Sequence, residues 1–402
     1  MTIRPESLAI TILLTMLTAL GPISTDLYLP SLPSIQAAFL TDVPTVQLTL
    51  SVYLIAFAVC QLVYGPLSDR FGRRRVLILG VGIYAAASVA CVFAQSVEQL
   101  VAARLFQALG GCSGVVVARA VVRDVYGATR AAKLLSYMGT AMALAPALGP
   151  ILGGYLTVAF GWQANFVVLS IFGGACLMGL IFLLPETHHD TDPTAFNPPQ
   201  MLRNFKSLLG HGGYRGYLFT SAFSYSGLFA FISGSSFVFI KVLGLTADQY
   251  GYCFAAIVLG YMAGTQIGGR SVTRFGIKAM VQWGAVISAV AGLAMAAFAI
   301  MGVSSVAAVL APMILYMVGM GLVLPNSAAG SIGPFPKMAG AASSLLGFCQ
   351  YSIAAAIGYA VGHAFNDSQI PMALAIAFMG LASFLCYFLM IRGVSEPAEE
   401  AV

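Results

Sequence analysis

This sequence predicts an all-α membrane protein of twelve transmembrane helices in two six-helix bundles. Three observations carry the prediction. The 402 residues are 59% hydrophobic and 8% charged, against about 25% charged in ordinary soluble domains, so the whole chain belongs in a bilayer. The apolar residues form twelve continuous stretches. Each is about long enough to cross roughly 30 Å of hydrocarbon as a helix, and none has the two-residue alternation of a membrane barrel. A short motif also recurs half a chain apart, on either side of one long polar connector.

The twelve stretches lie at 8–29, 45–65, 76–95, 99–118, 134–158, 162–184, 217–240, 249–268, 279–302, 305–328, 339–363 and 370–391. Loop charges orient them. With the N-terminus in the cytoplasm, that side collects Arg4, Arg70, Arg73, Arg74, Arg75, Arg119, Arg123, Arg130 and Lys133. It also collects Arg203, Lys206, Arg215, Arg270, Arg274, Lys278, Lys337 and Arg392, seventeen of the 19 Lys and Arg. Only Lys241 falls outside, and Arg104 lies within the membrane. The positive-inside rule then places both termini in the cytoplasm. The net charge of +5 is therefore a topology signal and not a nucleic-acid surface. The N-terminal run after Arg4 lacks a small-x-small cleavage site and is expected to stay as an uncleaved first helix.

The bundles are expected at 1–184 and 217–402, joined by a cytoplasmic linker at 185–216. The linker carries His188, His189, Asp190, Asp192 and prolines at 193, 198 and 199. One His pair without further ligands reads as a solvated connector, so no metal is expected. The seven cysteines all fall within predicted spans without paired spacing, and read as small packing residues. The repeat aligns Gly65, Arg70, Phe71 and Gly72 with Gly269, Arg274, Phe275 and Gly276, an offset of 204 at matching topology. Such duplication organises transporters whose substrate sits at the repeat interface.

Two charged residues lie deep in apolar stretches, Asp26 in the first and Arg104 in the fourth. A central Asp or Arg costs roughly 2.5–3.5 kcal/mol on insertion scales, so each calls for a polar cavity or a partner. Asp26 shares a stripe with Thr18, Gly21, Pro22 and Thr25. It is either a helix-end residue or part of a site, and Pro30 and Pro33 either end that helix or bend it. Arg104 shares a face with Gln107, Gly111 and Gly114. It is either a structural arginine bonded to carbonyls or the tuner of a nearby acid.

On the cytoplasmic side, Gly65 and Gly72 permit a tight turn. Asp69 can cap a helix N-terminus or pair with Arg73. In the fifth stretch Gly139, Ala143, Pro146, Pro150 and Gly153 form a small-residue stripe that admits close helix approach. Cavity candidates elsewhere are uncharged: Tyr28, Tyr53 and Gln107 in the first half, and Tyr225, Ser226, Ser233, Tyr261, Gln266, Asn326 and Gln350 in the second. For each of the second-half residues, helix packing is an equal reading. An aromatic, methionine-rich lining suits uncharged or zwitterionic amphiphiles.

The run Gly65-Pro-Leu-Ser-Asp69-Arg70-Phe-Gly72-Arg73-Arg-Arg resembles the signature between helices two and three of the major facilitator superfamily. Arg104-Leu-Phe-Gln107-Ala-Leu-Gly-Gly resembles its embedded-arginine motif, and Gly149-Pro150-x-x-Gly153-Gly154 its antiporter motif. Asp26-x-Tyr28-Leu-Pro30, with Gly161-Trp162-Gln163-x-x-Phe166, looks like the bicyclomycin/chloramphenicol-resistance branch of the drug:proton antiporters. This resemblance implies the major facilitator fold and a proton-coupled multidrug exporter of the inner membrane, working by alternating access as a monomer without a cofactor. It implies that Asp26 carries the proton with Arg104 tuning it. It implies a conformational latch of Gly65, Asp69, Arg70, Gly72 and Arg73 with Asp124 as partner. The antiporter motif would be Gly139, Pro146, Gly149, Pro150, Gly153 and Gly154. Some relatives carry a second acid a turn or two earlier; here Thr18 and Pro22 occupy that face. The helix 8–9 copy of the signature is degenerate.

The competing reading is a proton-driven transporter of a specific small metabolite, against which the helix-five motif argues. A membrane-embedded enzyme would need a nucleophile–base pair at membrane depth, which the sequence does not supply. ATP coupling would need a Gly-x-x-x-x-Gly-Lys loop, also missing.

Overall fold

The computed structural model describes residues 7–188 and 196–393, without the side chains of 127–133, 135–137, 140–143 and 337. Among the described residues every regular element is helical. Among these residues ten helices are long and apolar enough to cross a membrane, and Leu144–Phe160 adds a shorter apolar run. Large apolar side chains such as Leu79, Ile171, Phe182, Leu259 and Leu389 point outward. On a soluble protein that would be a liability, whereas here it is the lipid-facing surface.

Helix α1 (Leu8–Asp26) starts at Ser7, whose hydroxyl accepts from the Ile10 N–H at 3.4 Å. It ends at Asp26, earlier than the expected residue 29. The chain continues through a 3₁₀ turn, Leu29–Ser31, into α2 (Leu32–Ala38). Pro30 and Pro33, lacking N–H donors, sit at the starts of these two short elements and set the break. Helix α3 (Val43–Phe71) is capped by Asp42, which accepts from the Thr45 N–H at 2.9 Å. The Thr45 hydroxyl and N–H hold the Asp42 carboxyl below its usual range. This helix runs six residues past the predicted stretch, because backbone hydrogen bonding continues after apolar composition stops. Gly72 alone then separates α3 from α4 (Arg73–Val92).

Helix α5 (Val97–Phe160) takes in both the fourth and fifth predicted stretches. Gly114 lies against Leu17 of α1, and Gly149 lies against Asp26 of the same helix. A straight helix would hold residues 114 and 149 about 52 Å apart, against about 14 Å between Leu17 and Asp26, so the chain folds back on itself within α5. Helix α6 (Gln163–Phe182) leads to the connector. There α7 (Pro198–Gly210) stands where the sequence suggested only a solvated linker, and α8 (Gly212–Phe237) begins before the expected residue 217. His189, Asp190, Asp192 and Pro193 lie outside the described residues.

Helix α9 (Ala247–Ile300) spans two predicted stretches and is broken at Gly276 (φ 79°, ψ 164°). Gly72, its partner in the repeat, has φ 91° and ψ 148°. The Arg70 guanidinium lies 5.3 Å over the Phe71 ring and that of Arg274 lies 5.2 Å over Phe275. Four aligned letters thus fold into the same local shape twice, which supports duplication. Helices α10 (Val306–Ile332), α11 (Ala339–His363) and α12 (Ile370–Cys386) complete the fold. All seven cysteines are free thiols.

The cores show how the halves meet. One apolar cluster joins Leu27, Leu32 and Leu50 of the first half to Phe231, Phe237 and Met372 of the second. It lies toward the end opposite the arginine-rich turns. At the arginine-rich end the buried cores separate. One holds Leu17, Phe57 and Val121, a second Tyr214, Leu218 and Leu346, a third Tyr217, Val281 and Val323. Each draws its buried members from one half only.

Candidate substrate cavity

Where the cores part, a cavity of about 360 Å³ opens between the halves. Its position follows from α1. Pro22 has no N–H to give the Thr18 carbonyl, and the helix stops four residues later at Asp26. Asp26 lines the cavity with Gly21, Pro22 and Thr25, although only 4% of its surface is exposed. The Thr25 hydroxyl donates to the Pro22 carbonyl at 2.8 Å and to Asp26 Oδ1 at 3.3 Å. Among the described lining residues Asp26 is the only acidic or basic side chain.

The remaining wall is aromatic and sulfur-rich. Tyr53 and Phe57 come from α3, Tyr225 and Phe229 from α8, Phe254 and Tyr261 from α9, Met317 and Met320 from α10, and Tyr351 from α11. Tyr351 ties the halves together, with its ring 5.0 Å from Phe57 and 5.5 Å from Tyr225 in edge contact. Such a wall adapts to varied flat apolar bodies, with one carboxylate to orient them.

Sequence reasoning missed Tyr351 and Phe57 and named Gln350 instead. One residue along a helix is a rotation of about 100°, enough to turn from one bundle to the other. Gln350 Nε2 donates to Ser221 Oγ at 3.3 Å within the second half, and the Ser226 hydroxyl donates to the Ala222 carbonyl at 2.7 Å. Neither lines the cavity. Of the seven substrate candidates the structure places Tyr53, Tyr225 and Tyr261 on the wall and Tyr28, Gln107, Ser226 and Gln350 away from it.

Arg104 is fully buried behind that wall. Its guanidinium is held 4.3 Å from the rings of both Tyr28 and Tyr53. Nη1 donates to the Ser24 carbonyl at 2.9 Å and to Gln107 Oε1 at 2.5 Å, and Gln107 Nε2 donates to Ser88 Oγ at 2.8 Å. Nε and Nη2 have no hydrogen-bond partner. Stacking against a ring is worth about 2 kcal/mol or more when desolvated, and two rings here offset part of the cost of burying the charge. Among the described residues no ion pair joins Arg104 to Asp26. Tyr53 meets the guanidinium with its ring and also lines the cavity that Asp26 lines.

The α5 glycines press on the acid. A Cβ at Gly149 would lie 3.2 Å from Asp26 Cβ, and one at Gly153 would collide with the Leu27 carbonyl oxygen. Gly154 packs on Ala247 and Asp248, and the Pro150 carbonyl on Gly251, so the same segment meets α9 of the second half. Gly139 and Pro146 reach the cavity itself.

At the arginine-rich end Arg73 pairs with Asp69 at 2.5 Å and with Asp124 at 2.9 Å, and Nη1 donates to Ser68 Oγ at 2.6 Å. The cluster links α3, α4 and α5 inside one half. Gly65 is helical with open space around it, so Gly72 alone makes the turn. The α4 N-terminus is capped by Glu186, which the sequence reading left in the linker, and not by Asp69.

The Major Facilitator Superfamily model matches residues 14–359. The chain is 30% identical to the bicyclomycin resistance protein homolog of Haemophilus influenzae, over 93% of its own length and 94% of that protein. It is 28% identical to multidrug resistance protein D of Escherichia coli, over 98% and 99%. Among solved structures, a D-xylose-proton symporter superposes with a TM-score of 0.76 at 17% identity, covering 96% of this chain and 98% of that one. At that identity the likeness speaks for the fold alone.

Proposed function

We propose, from the premise that this chain belongs to the major facilitator superfamily, that it exports drug-like amphiphiles across the membrane in exchange for protons. It is a multi-pass membrane transporter, and not an enzyme. The observation that carries the reading is the placement of Asp26, the one acidic or basic side chain among the described residues that line an aromatic cavity between the two halves. A carboxylate that holds either a proton or a substrate, never both, couples the two fluxes. The relatives named for bicyclomycin and multidrug resistance, matching nearly end to end, support the substrate class.

Twelve spans in two six-helix bundles are supported by the fold-back within α5 and the break at Gly276. The asymmetry of Lys and Arg supports cytoplasmic termini, in an inner membrane. With that orientation the separated end faces the cytoplasm, and the structure is an inward-facing state of an alternating-access cycle. The protein works as a monomer, since each chain encloses its own cavity. Arg104 tunes Asp26 across Tyr53 and the Ser24 carbonyl, and not by direct pairing in this state. Arg73 with Asp69 and Asp124 forms the latch.

The test is drug-induced proton release from purified protein, together with drug uptake driven by a pH gradient in liposomes. Asp26→Asn is expected to abolish both while sparing downhill drug exchange. Wild-type accumulation by Asp26→Asn sinks the mechanism and places the coupling acid elsewhere.

A further inference from the structure

Helix α4 begins Arg73-Arg74-Arg75, which is electrostatically the wrong composition for a helix start. The free N–H groups and the macrodipole make that end positive, and three cations add to it. Membrane orientation demands the cations, so something must offset them. Glu186 does. Its Oε1 accepts from the backbone N–H of Arg73 at 2.9 Å, and Oε2 from that of Arg74 at 3.2 Å. Oε1 also accepts from the N–H groups of Thr187 and His188 at 3.0 and 3.1 Å. One carboxylate thus bonds two amides of α4 and two of the connector.

The side chains of α4 complete a clamp. Arg74 Nε donates to the Leu184 carbonyl at 2.7 Å and Nη2 to that of Ile181 at 2.8 Å, fastening the end of α6. Arg73 reaches the other way, to Asp69 and Asp124. Gly72 is confined twice over: its φ is +91°, and a Cβ there would lie 2.6 Å from Glu186 Oε2.

The second half supplies an internal control. Gly276 makes the same break, yet residue 390, the counterpart of Glu186 at the 204 offset, is Met390, and Asp69 and Arg73 correspond to Thr273 and Ile277. Among the described residues no carboxylate bonds the backbone at that turn. The acid in the first half does something besides making the turn.

We propose that Glu186 is a positioning residue of the transport cycle. It pins the first residues of the inter-bundle connector to the α4 N-terminus. It thereby holds Arg73 between its two acids and fixes the point from which the second half swings. The proposal rests on the transporter reading above.

Purified Glu186→Ala and Glu186→Gln protein tests it by two readouts. Hydrogen exchange at residues 73–76 and 187–188 should accelerate about tenfold in Glu186→Ala, confined to those amides, since a cap serves the first turn only. In liposomes the maximal drug transport rate should fall about fivefold or more with drug affinity within about twofold, as expected for a conformational step. Glu186→Gln, which keeps one acceptor oxygen and the fold but loses the charge, should fall between. Accelerated exchange with wild-type turnover makes the cap merely structural and overturns the proposal. Unchanged exchange, or affinity lost in step with rate, also overturns it. If the wild-type protein moves no drug, the transporter reading fails, and the exchange comparison still reports whether the clamp exists.

Discussion

Arg104 sits where a positive charge is hardest to keep, fully buried with one guanidinium nitrogen hydrogen-bonded and two not. What compensates is ring contact, since the guanidinium carbon lies 4.3 Å from the ring centroids of both Tyr28 and Tyr53. An ammonium at the same place keeps the charge and loses the stacking and the fork. Arg104→Ala is therefore expected to lower folding stability by about 3 kcal/mol and to abolish pH-driven transport. Arg104→Lys should keep part of the transport with a smaller loss of stability. Thermal unfolding in detergent alongside liposome uptake checks both. Equal stability of all three proteins would show that the slot contributes nothing. At this scale the sequence revealed the burdened residues but not their surroundings. Asp26 and Arg104 stand out in any hydropathy reading, yet the Ser24 carbonyl and the tyrosine faces that meet Arg104 come from distant parts of the chain. Gln350 and Tyr351 are neighbours in the chain that face different bundles, a distinction only packing makes.

Glycines at the level of the element divide by what surrounds them. Gly153 meets the Leu27 carbonyl, a backbone atom that cannot swing aside, so Gly153→Ala should force α5 off α1. The expected cost is about 2 kcal/mol or more, with loss of monodisperse protein in gel filtration. A Cβ at Gly139 would have nothing within 4 Å, although the residue lines the cavity, so Gly139→Ala should fold normally and change only drug affinity. The same contrast separates Gly72, with its positive φ and the Glu186 carboxylate beside it, from Gly65 with open space. Gly65→Ala should transport within about twofold of wild type, and Gly72→Ala should not. Normal behaviour of Gly153→Ala and Gly72→Ala would refute this division. Glycine spacing alone could not have made it, because the sequence does not record which atom stands opposite. Helix ends were misread for a related reason. Hydropathy marks the hydrocarbon, whereas α3 keeps hydrogen bonding through the polar run to Phe71 and α7 forms inside the supposed linker.

Across the whole molecule, the repeat was legible in composition, and Gly72 and Gly276 give its two copies the same turn. The state of the cycle was not legible, because the same helices serve both states. The structure joins the halves at one end through Leu27, Leu32 and Leu50 against Phe231, Phe237 and Met372. Apolar contacts of this kind are non-directional and separate readily into new pairings. Among the described residues the directional bonds across that end are few: Gln47 Nε2 to the Ser233 carbonyl, Lys241 Nζ to Gln36 Oε1, and the Tyr155 and Tyr252 hydroxyls at 2.6 Å. For substrate to leave by that end these must break while the far end closes. Cysteines at Gln36 and Lys241, joined by a short bismaleimide, would hold the end shut without entering the cavity. Cross-linked protein is then expected to bind drug with affinity within about twofold, since the cavity stays open toward the arginine-rich end, and to lose nearly all net transport. The uncross-linked double variant and the native cysteines alone serve as controls. Undiminished transport by the cross-linked protein would mean that this end is not a moving gate, and that substrate leaves by another route.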